Sequence, residues 1–273
     1  MNGASDADDI RDEIFRLLDG REVDATIEAA EAGILACVDE AVQRGRELGL
    51  RVEACREDGD ELTSGDPVLR LRGPAKTITI AEETLIGVIS KPSGIATAAR
   101  RLVEEAAGRI RIVGGAWKKA PPSIKPSVRR AIEVGGANGR MADHPMVYFD
   151  KNYVRMLGGL RGALEAISHL EDHQKVVQLM GEEASLFEET QLAVSLGATT
   201  LLVDTGVPAD IKPVVDALEA IGARNDVMVA FAGGVQHGDL DELVRLGAGA
   251  LCIGRSIVDA PLLDMRLTVD GVS

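Results

Sequence analysis

After residue 108, short apolar runs alternate with stretches of helical spacing along the chain. The apolar runs predict buried strands over residues 109–113, 146–149, 176–180, 200–203, 227–231 and 250–253. Apolar residues that recur every three or four positions predict helices over residues 127–134, 157–170, 186–196, 210–221 and 239–246. Strands that are buried on both faces and joined by helices are typical of a parallel sheet, and six such units can close into a barrel. The predicted fold class is therefore α/β, with a parallel α/β barrel as its main part.

The first part of the chain has a different pattern. Helical spacing predicts helices over residues 7–18 and 39–48, and alternation predicts strands over residues 23–27, 50–55, 68–72 and 75–80. Gly73-Pro74 as the turn between the last two strands predicts an antiparallel hairpin. A helix then runs to Lys91, where Pro92 interrupts it, and a second helix is expected over residues 94–107. The start of the chain is thus α+β, and alternation over residues 262–269 predicts a last strand beyond the barrel.

Length and composition bound the kind of protein. The 273 residues, of which 45% are hydrophobic, can bury a sizeable core in one large domain or in one domain with a smaller one. No apolar run approaches the roughly 20 residues of a membrane span, and the N-terminal stretch lacks the basic and apolar regions of a secretory signal. Cys37, Cys55 and Cys252 lie far apart in no metal-binding pattern, which favours reduced thiols. We expect a cytoplasmic protein with no membrane partner.

The distribution of charge points to an anionic ligand. A net charge of −14 argues against a nucleic-acid partner, because phosphate binding needs a broad cationic face. Residues 106–132 reverse that charge, since they lack Asp and Glu and contain Arg109, Arg111, Lys118, Lys119, Lys125, Arg129 and Arg130. Such a reversal predicts an anion site, although a solvated basic helix face explains residues 125–130 equally well. Lys118 and Lys119 follow a predicted strand and precede Pro121-Pro122, where a loop would present them.

An α/β barrel has its active site at the carboxyl ends of its strands. There the sequence places cations, carboxylates and glycine-rich ends: Lys118-Lys119, Arg140, Asp150-Lys151, Glu182, Asp204, Gly233-Gly234 and Gly254-Arg255-Ser256. Glycines let backbone N–H groups approach a phosphate, although glycine at a strand end is also ordinary turn chemistry. Glu182 and Asp204 could hold ribose hydroxyls or Mg²⁺, or simply cap the helices that follow them. Together these residues fit a substrate with sugar, phosphate and carboxylate groups.

Six motifs follow one another along the chain: Gly65-Asp66-Pro67-Val68, Gly73-Pro74-Ala75, Glu83-Thr84-Leu85, Ser93-Gly94-Ile95-Ala96-Thr97, Gly135-Gly136-Ala137-Asn138-Gly139 and Ile253-Gly254-Arg255-Ser256-Ile257. The first four resemble quinolinate phosphoribosyltransferase (nicotinate-nucleotide pyrophosphorylase, carboxylating). The last two look closer to its relative nicotinate phosphoribosyltransferase. The chain therefore resembles the type II phosphoribosyltransferase family over almost its full length.

The resemblance implies an N-terminal α+β sandwich domain over residues 1–93, an open parallel α/β barrel over residues 94–258, and a C-terminal strand over residues 259–273 that returns to the first domain. It also implies a homodimer, or a higher homo-oligomer, with shared active sites. Residues that match the family's site are Lys119, Glu182 and Asp204 as catalytic groups, Lys91, Lys118, Arg140 and Lys151 for substrate, Gly233, Gly234, Gly254 and Ser256 for the 5′-phosphate, and Glu182 and Asp204 for Mg²⁺.

The activity implied by the resemblance is transfer of phosphoribosyl from phosphoribosyl pyrophosphate (PRPP) to quinolinate, with Mg²⁺ as cofactor and loss of CO2, in NAD biosynthesis. Two departures bear on the acceptor: a His-Arg pair of the quinolinate enzymes is Gly139-Arg140 here, and their Lys-Asp-Asn-His run is Asp150-Lys151-Asn152-Tyr153. A one-residue shift along a strand turns a side chain to the opposite face. The alternatives are nicotinate or another heteroaromatic acid as acceptor, and an inactive phosphoribosyl-binding paralogue. Trp117 either stacks on a flat ring or only packs.

Overall fold

The structure is a computed structural model that describes residues 9–273, and the chain folds into two compact units. The first unit contains the described residues up to Thr97 together with Pro126–Gly135 and Pro261–Ser273. The second unit contains Ala98–Lys125 and Gly136–Ala260. The domain boundaries predicted from the sequence stay a prediction, because contacts within a chain do not show which parts fold independently.

The first unit is built on an antiparallel sheet. Its strands are β1 (Val23–Ala29), β3 (Arg51–Ala54), β5 (Pro67–Gly73) and β12 (Met265–Val272), in the order β12-β1-β5-β3. A two-stranded sheet pairs β2 (Gly33–Ile34) with β4 (Glu61–Leu62). Its first helices are α1 (Ile10–Ile14), followed by a 3-10 turn at Arg16–Leu18, and α2 (Val38–Glu47). The helix predicted over residues 7–18 begins outside the described residues, since residues 7 and 8 are not among them.

Alternation along β1 explains how this sheet is covered. Every second residue of the strand is buried, beginning with Val23, and the buried side chains join a core with Leu85 and Ile89. Those two residues belong to α3 (Ala75–Ala106), a helix of 32 residues. A half-buried antiparallel strand packed on a helix is the arrangement that its period-two pattern predicts.

The strand predicted over residues 75–80 is wrong, because these residues form the first turns of α3. The buried positions of that segment and its continuation are Ala75, Ile78, Ala81 and Leu85, which repeat at helical rather than strand spacing. A six-residue alternation is too short to separate the two periods. Gly73-Pro74 therefore joins a strand to a helix, and the predicted hairpin does not form.

The helix break predicted at Pro92 is also wrong, since α3 continues through the proline. Proline has no N–H for the helical hydrogen bond to the carbonyl of Val88, and other contacts within the first unit hold the helix on either side of it. The Leu263 amide donates to the carbonyl of Ser90 over 2.9 Å. Ser93 Oγ accepts from the Ala36 amide over 3.0 Å, and Thr97 Oγ1 accepts from the Ile34 amide over 2.8 Å.

The second unit is a curled parallel sheet. Its strands are β6 (Arg111–Gly114), β7 (Met146–Phe149), β8 (Gln174–Leu179), β9 (Thr200–Val203), β10 (Met228–Ala232) and β11 (Ala250–Ile253). They lie in the order β6-β11-β10-β9-β8-β7, and among the described residues β6 and β7 do not pair, so the sheet is an open half-barrel. The α/β fold class with an open parallel barrel and a separate N-terminal sheet domain is confirmed.

Helices connect these strands and complete the chain. They are α4 (Lys125–Val134), α5 (Lys151–Met156), α6 (Leu160–Ala166), α7 (Leu186–Ser195), α8 (Ile211–Ala220), α9 (Leu240–Arg245) and α10 (Arg255–Val258). Outside the named strands, a parallel bridge pairs Val113 with Asn138. In the described part of the chain, every helix is too short or too polar to cross a membrane.

Replacing Gly94 by alanine should destabilise the first unit. A Cβ at this position would overlap the carbonyl oxygen of Pro261, and neither backbone can yield cheaply. We expect G94A to lower the free energy of unfolding by about 2–3 kcal/mol, the range typical of overpacking. Urea denaturation followed by circular dichroism measures the change.

Gly87 supplies the matched control in the same helix. A Cβ there meets nothing within 4 Å, so G87A should raise stability by about 0.5–1 kcal/mol because alanine loses less entropy than glycine in a helix. Equal effects of the two substitutions would contradict the close backbone approach at Gly94.

Candidate active site

Alternate residues of the parallel strands fill the inside of the half-barrel. Val113, Val176, Leu202, Ala230 and Ala250 belong to one buried cluster there. Side chains two residues further along a strand lie on the same face. The next residues toward the carboxyl ends include a phenol, an amide, a carboxylate and a thiol: Tyr148, Gln178, Asp204 and Cys252. The mouth of the half-barrel is therefore polar, above an apolar floor.

Asp204 stands directly after β9 and faces several cations. Solvent reaches it, yet the surrounding protein removes enough water to raise the pKa of its carboxyl, while the positive charges of Lys118, Lys151 and Lys119 act in the opposite direction. Among the described residues, none of these lysines lies within 4.0 Å of Asp204 as an ion pair. The four predicted residues thus share one region, with space between opposite charges for a ligand.

The two lysines after β6 are presented by a short turn. Gly115–Lys119 forms a 3-10 turn, and both lysine side chains are exposed. Trp117 Nε1 donates to the carbonyl oxygen of Gly139 over 3.1 Å. The indole therefore ties this turn to the segment that carries Arg140, whose own side chain is exposed and lies 3.5 Å from His144 Nδ1. Trp117 therefore has a structural role, since its hydrogen bond fixes the turn.

The expected strand register at Asp150-Lys151 does not occur. β7 ends at Phe149, and Asp150 is the N-cap of α5, with its carboxylate accepting from the amides of Asn152 and Tyr153 over 2.9 and 3.2 Å. Since Lys151 is the first residue of a helix, a one-residue shift along a strand does not describe its direction. Its charge acts on Asp204, so the lysine belongs to the site.

Gln178 was not predicted and connects the groups around Asp204. Its Nε2 donates to Asp204 Oδ2 over 2.9 Å, and its Oε1 accepts from the backbone amide of Lys151 over 2.8 Å. The side chain is 5% exposed. It is the polar residue within the otherwise apolar run of residues 176–180, and that was the signal that could have identified it, because buried polar groups need partners.

Glu182 is engaged by a residue that the sequence did not single out. Arg155 Nη2 lies 2.8 and 2.7 Å from the two carboxylate oxygens of Glu182, and both side chains are about half exposed. An open cleft of about 360 Å³ is lined by these residues with Lys151, Val154, Leu160, Gln178, Met180, Glu183 and Glu189. Asp204 is not part of that lining, but Gln178 is, and it donates to Asp204.

The glycine-rich ends follow the adjacent strands β10 and β11. Gly233 has a φ of +111°, and a Cβ there would lie 2.5 Å from the Cα of Gly206 in the loop after β9. Ser256 Oγ donates to the carbonyl of Val235 over 3.2 Å. A Cβ on Gly254 would lie 3.3 Å from Ala116. Glycine here lets four loops, those after β6, β9, β10 and β11, approach one another, and Gly234 is exposed.

Lys91 is the predicted site residue that belongs to the first unit. It belongs to α3 in the first unit and is partly buried, whereas the other predicted site residues belong to the second unit. The role predicted for Lys91 stays a prediction.

The carboxylates fit Mg²⁺ only in part. No group of three or more His, Cys, Asp or Glu side chains within residues 9–273 is arranged to hold a metal ion. Glu182 is neutralised by Arg155, and Asp204 Oδ2 accepts from Gln178, which leaves Oδ1 for a ligand. Mg²⁺ usually binds one or two carboxylates together with substrate phosphates and water. The donors present therefore suit an ion that arrives with a phosphorylated substrate.

Tyr148 and Cys252 remain protonated at neutral pH. Burial raises the pKa of the Tyr148 phenol, and the negative charges of Asp204 and Asp150 add to the shift. Burial also raises the pKa of the Cys252 thiol to about 11, with a further contribution from Asp204. Neither group can act as a base or a nucleophile at pH 7, so both serve the mouth as neutral side chains.

Comparison with known families assigns both parts of the chain. Residues 9–93 match the N-terminal domain of quinolinate phosphoribosyl transferase, and residues 95–268 match its C-terminal domain. A probable nicotinate-nucleotide pyrophosphorylase [carboxylating] of Methanothermobacter thermautotrophicus is 28% identical over 259 residues, which cover 93% of this chain and 90% of that protein. The human nicotinate-nucleotide pyrophosphorylase [carboxylating] is 28% identical over 224 residues, which cover 81% of this chain and 73% of the human protein.

Solved structures share the fold. The nicotinate-nucleotide pyrophosphorylase of Ehrlichia chaffeensis matches with a TM-score of 0.80 at 18% identity, covering 97% of this chain and 94% of that one. The Pyrococcus furiosus enzyme of that name matches at 0.79 and 22% identity, covering 96% and 73%. Human nicotinic acid phosphoribosyltransferase matches at 0.68 and 13% identity, covering 97% and 74%. These similarities support the half-barrel with its N-terminal sheet domain.

Cys252 should be alkylated far more slowly in the folded protein than in the unfolded chain. A thiol with a pKa of about 11 has about a hundredfold less thiolate at pH 8 than an ordinary cysteine, and the thiolate is the reactive form. Iodoacetamide labelling at pH 8, with and without urea, followed by peptide mass spectrometry measures the two rates. Cys55, a free thiol that is also partly exposed, is the internal reference, and equal rates for Cys252 in both states would contradict the raised pKa of its thiol.

Proposed function

The chain belongs to the quinolinate phosphoribosyltransferase family, and we propose that it transfers the phosphoribosyl group of PRPP to quinolinate, in NAD biosynthesis. The products are nicotinate mononucleotide, pyrophosphate and CO2. The observation that carries this proposal is that the positive charges of Lys118, Lys119 and Lys151 all act on the Asp204 carboxylate. A carboxylate opposed by cations suits a reaction in which a sugar carbon becomes positive between an anionic leaving group and an anionic ring.

The chain's own residues would bind the two substrates by charge and by backbone contacts. Lys118 and Lys119 hold the pyrophosphate and the ring carboxylates, and Arg140 and Lys151 add cations at the rim. Backbone N–H groups of Gly233, Gly234 and Gly254, with the Ser256 hydroxyl, hold the 5′-phosphate. Positioning both reactants in one pocket supplies much of the rate enhancement, because a bimolecular step becomes an intramolecular one.

The first chemical step breaks the bond between C1 of the ribose and the pyrophosphate oxygen. The ring nitrogen donates its lone pair to C1, and the pyrophosphate leaves with the electrons of the broken bond. As positive charge develops on the ribose, the free oxygen of Asp204 stabilises it electrostatically. Lys119 compensates the negative charge that grows on the leaving group.

The second step removes the carboxylate next to the ring nitrogen. After the first step that nitrogen is quaternary, so it stabilises the electron pair left at C2 when the bond to the carboxylate breaks. CO2 leaves, and C2 takes up a proton. The site assists by holding the second carboxylate on the lysines, which keeps the ring in place.

Mg²⁺ is proposed as part of the PRPP substrate rather than as a resident ion. It supplies charge neutralisation on the pyrophosphate oxygens. Asp204 Oδ1 is the ligand that the chain offers, because Glu182 would have to release Arg155 before it could bind an ion. Glu182 is therefore proposed to act on the ribose hydroxyls or the ion only after that pair opens.

Nicotinate is the second candidate acceptor. Gly139 stands where the quinolinate enzymes carry a histidine beside the arginine, and a glycine offers no side chain to a second carboxylate. We also propose a homodimer with shared sites, to which Lys91 would contribute, and a cytoplasmic location. The three free cysteines support a reducing compartment.

Incubation of the protein with PRPP, Mg²⁺ and quinolinate should yield equal amounts of pyrophosphate and CO2. The same incubation with nicotinate separates the candidates, since pyrophosphate without CO2 identifies the second acceptor. Coupled pyrophosphate detection and trapping of labelled CO2 provide the measurement. Binding of PRPP without either product would establish the inactive paralogue instead.

Replacing Lys119 by alanine should lower kcat by about 100-fold or more, because a cation opposite the leaving group stabilises charge that develops only in the transition state. K212A is the matched control. Lys212 is an exposed lysine on α8 that pairs with Asp216 at 2.8 Å on the helix surface, and its loss should leave kcat unchanged. Full activity of K119A would remove Lys119 from the site.

A further inference from the structure

The amide of Gln178 makes three contacts near the mouth of the half-barrel. Besides the bonds to Asp204 and to the Lys151 amide, its Nε2 lies 3.3 Å from the sulfur of Met180. A glutamine amide has two N–H donors and an oxygen with two lone pairs, so both donors and one lone pair have partners. With 5% exposure, the side chain offers the cleft that it lines only the second lone pair of its oxygen.

The orientation of this amide follows from its partners. The Lys151 backbone N–H is a donor and requires the amide oxygen, so the nitrogen must face Asp204. This arrangement occupies Oδ2 of Asp204 and leaves Oδ1 for a ligand. The same side chain thereby fixes which carboxylate oxygen is available and where α5 begins.

We propose that Gln178 is a positioning residue that holds the Asp204 carboxylate and the N-terminal end of α5 in one geometry, without touching the substrate. The inference rests on the proposed function, since the geometry matters only if Asp204 acts on the sugar. Asp204 comes from the loop after β9 and Lys151 from the helix after β7, and β8, which carries Gln178, lies between those two strands. One buried amide therefore couples the carboxylate to the cation across three adjacent strands.

A neutral side chain is required at this position. A carboxylate in place of the amide would stand about as far from Asp204 Oδ2 as Gln178 Nε2 does, 2.9 Å, and two like charges at that distance repel strongly. An apolar side chain would leave both the Lys151 N–H and Asp204 Oδ2 without a partner. The amide alone meets a donor on one side and an acceptor on the other.

Q178M tests the inference, because methionine keeps the length and volume of glutamine and removes both hydrogen bonds. We expect kcat to fall about 10- to 100-fold, the value of a hydrogen bond to a charged group, while the Kd for PRPP measured by calorimetry changes less than about threefold. The split follows because Asp204 stabilises charge present only in the transition state. Q174M is the matched control, since Gln174 is exposed on the same strand, and it should retain wild-type kcat.

A double variant separates positioning from a general structural effect. If Gln178 acts through Asp204, Q178M should slow D204N no further, whereas a structural role predicts the same proportional loss in both backgrounds. Proportional loss, or wild-type kcat in Q178M, would overturn the inference.

If Q178M does not fold, as judged by circular dichroism, Q178N carries the same test because its shorter amide cannot reach both partners. A wild-type protein that turns over neither acid overturns the proposed function and this role together, whereas an active wild type with an unaffected Q178M overturns this role alone.

Discussion

The electrostatic opposition between Asp204 and three lysines is the interaction on which the candidate site depends. A carboxyl that is partly shielded from water is costly to ionise, and the charges of Lys118, Lys119 and Lys151 offset part of that cost. The parallel sheet makes this possible, because the carboxyl ends of β6, β7 and β9 meet at one mouth. Lysines that are far apart in sequence thereby act on one carboxylate, that of Asp204.

Partly buried hydrogen bonds keep this arrangement of charges in place. Trp117 ties the lysine turn to Gly139, Gln178 ties Asp204 to the start of α5, and Ser256 ties the last loop to Val235. The first bond closes the connection between β6 and β7, and the other two join neighbouring strands or the loops that follow them. The lysine side chains themselves are exposed and form no direct ion pair with Asp204. The hydrogen bonds therefore fix the backbone that carries the lysines. Such a division suits catalysis, since a pre-organised site needs little rearrangement when charge develops.

The sequence predicted the barrel better than it predicted the first unit. Strands over residues 146–149, 200–203 and 250–253 were predicted with the observed limits, because a strand buried on both faces is a continuous apolar run bounded by polar residues. Residues 75–80 were assigned to a strand because six residues fit both periods. Pro92 was taken as a helix end because the contacts that hold α3 through it come from residues distant in sequence. Tertiary contacts of that kind leave no local signal.

The same limit applies to the candidate site. Lys118, Lys119 and Asp204 were predicted because strand ends could be located from the sequence, and the structure brings the charges of both lysines to bear on Asp204. Gln178 and Arg155 were missed, since each is significant only through its partner. The relation of Lys151 to the barrel could not be read from register, because Asp150 ends the strand and begins a helix. A displaced lysine therefore still contributes its charge at the mouth: the backbone turns at Asp150, and Gln178 fixes where the turn ends. In such a site, a substitution can change which helix or strand carries a charged residue. Binding depends on where the charge lies.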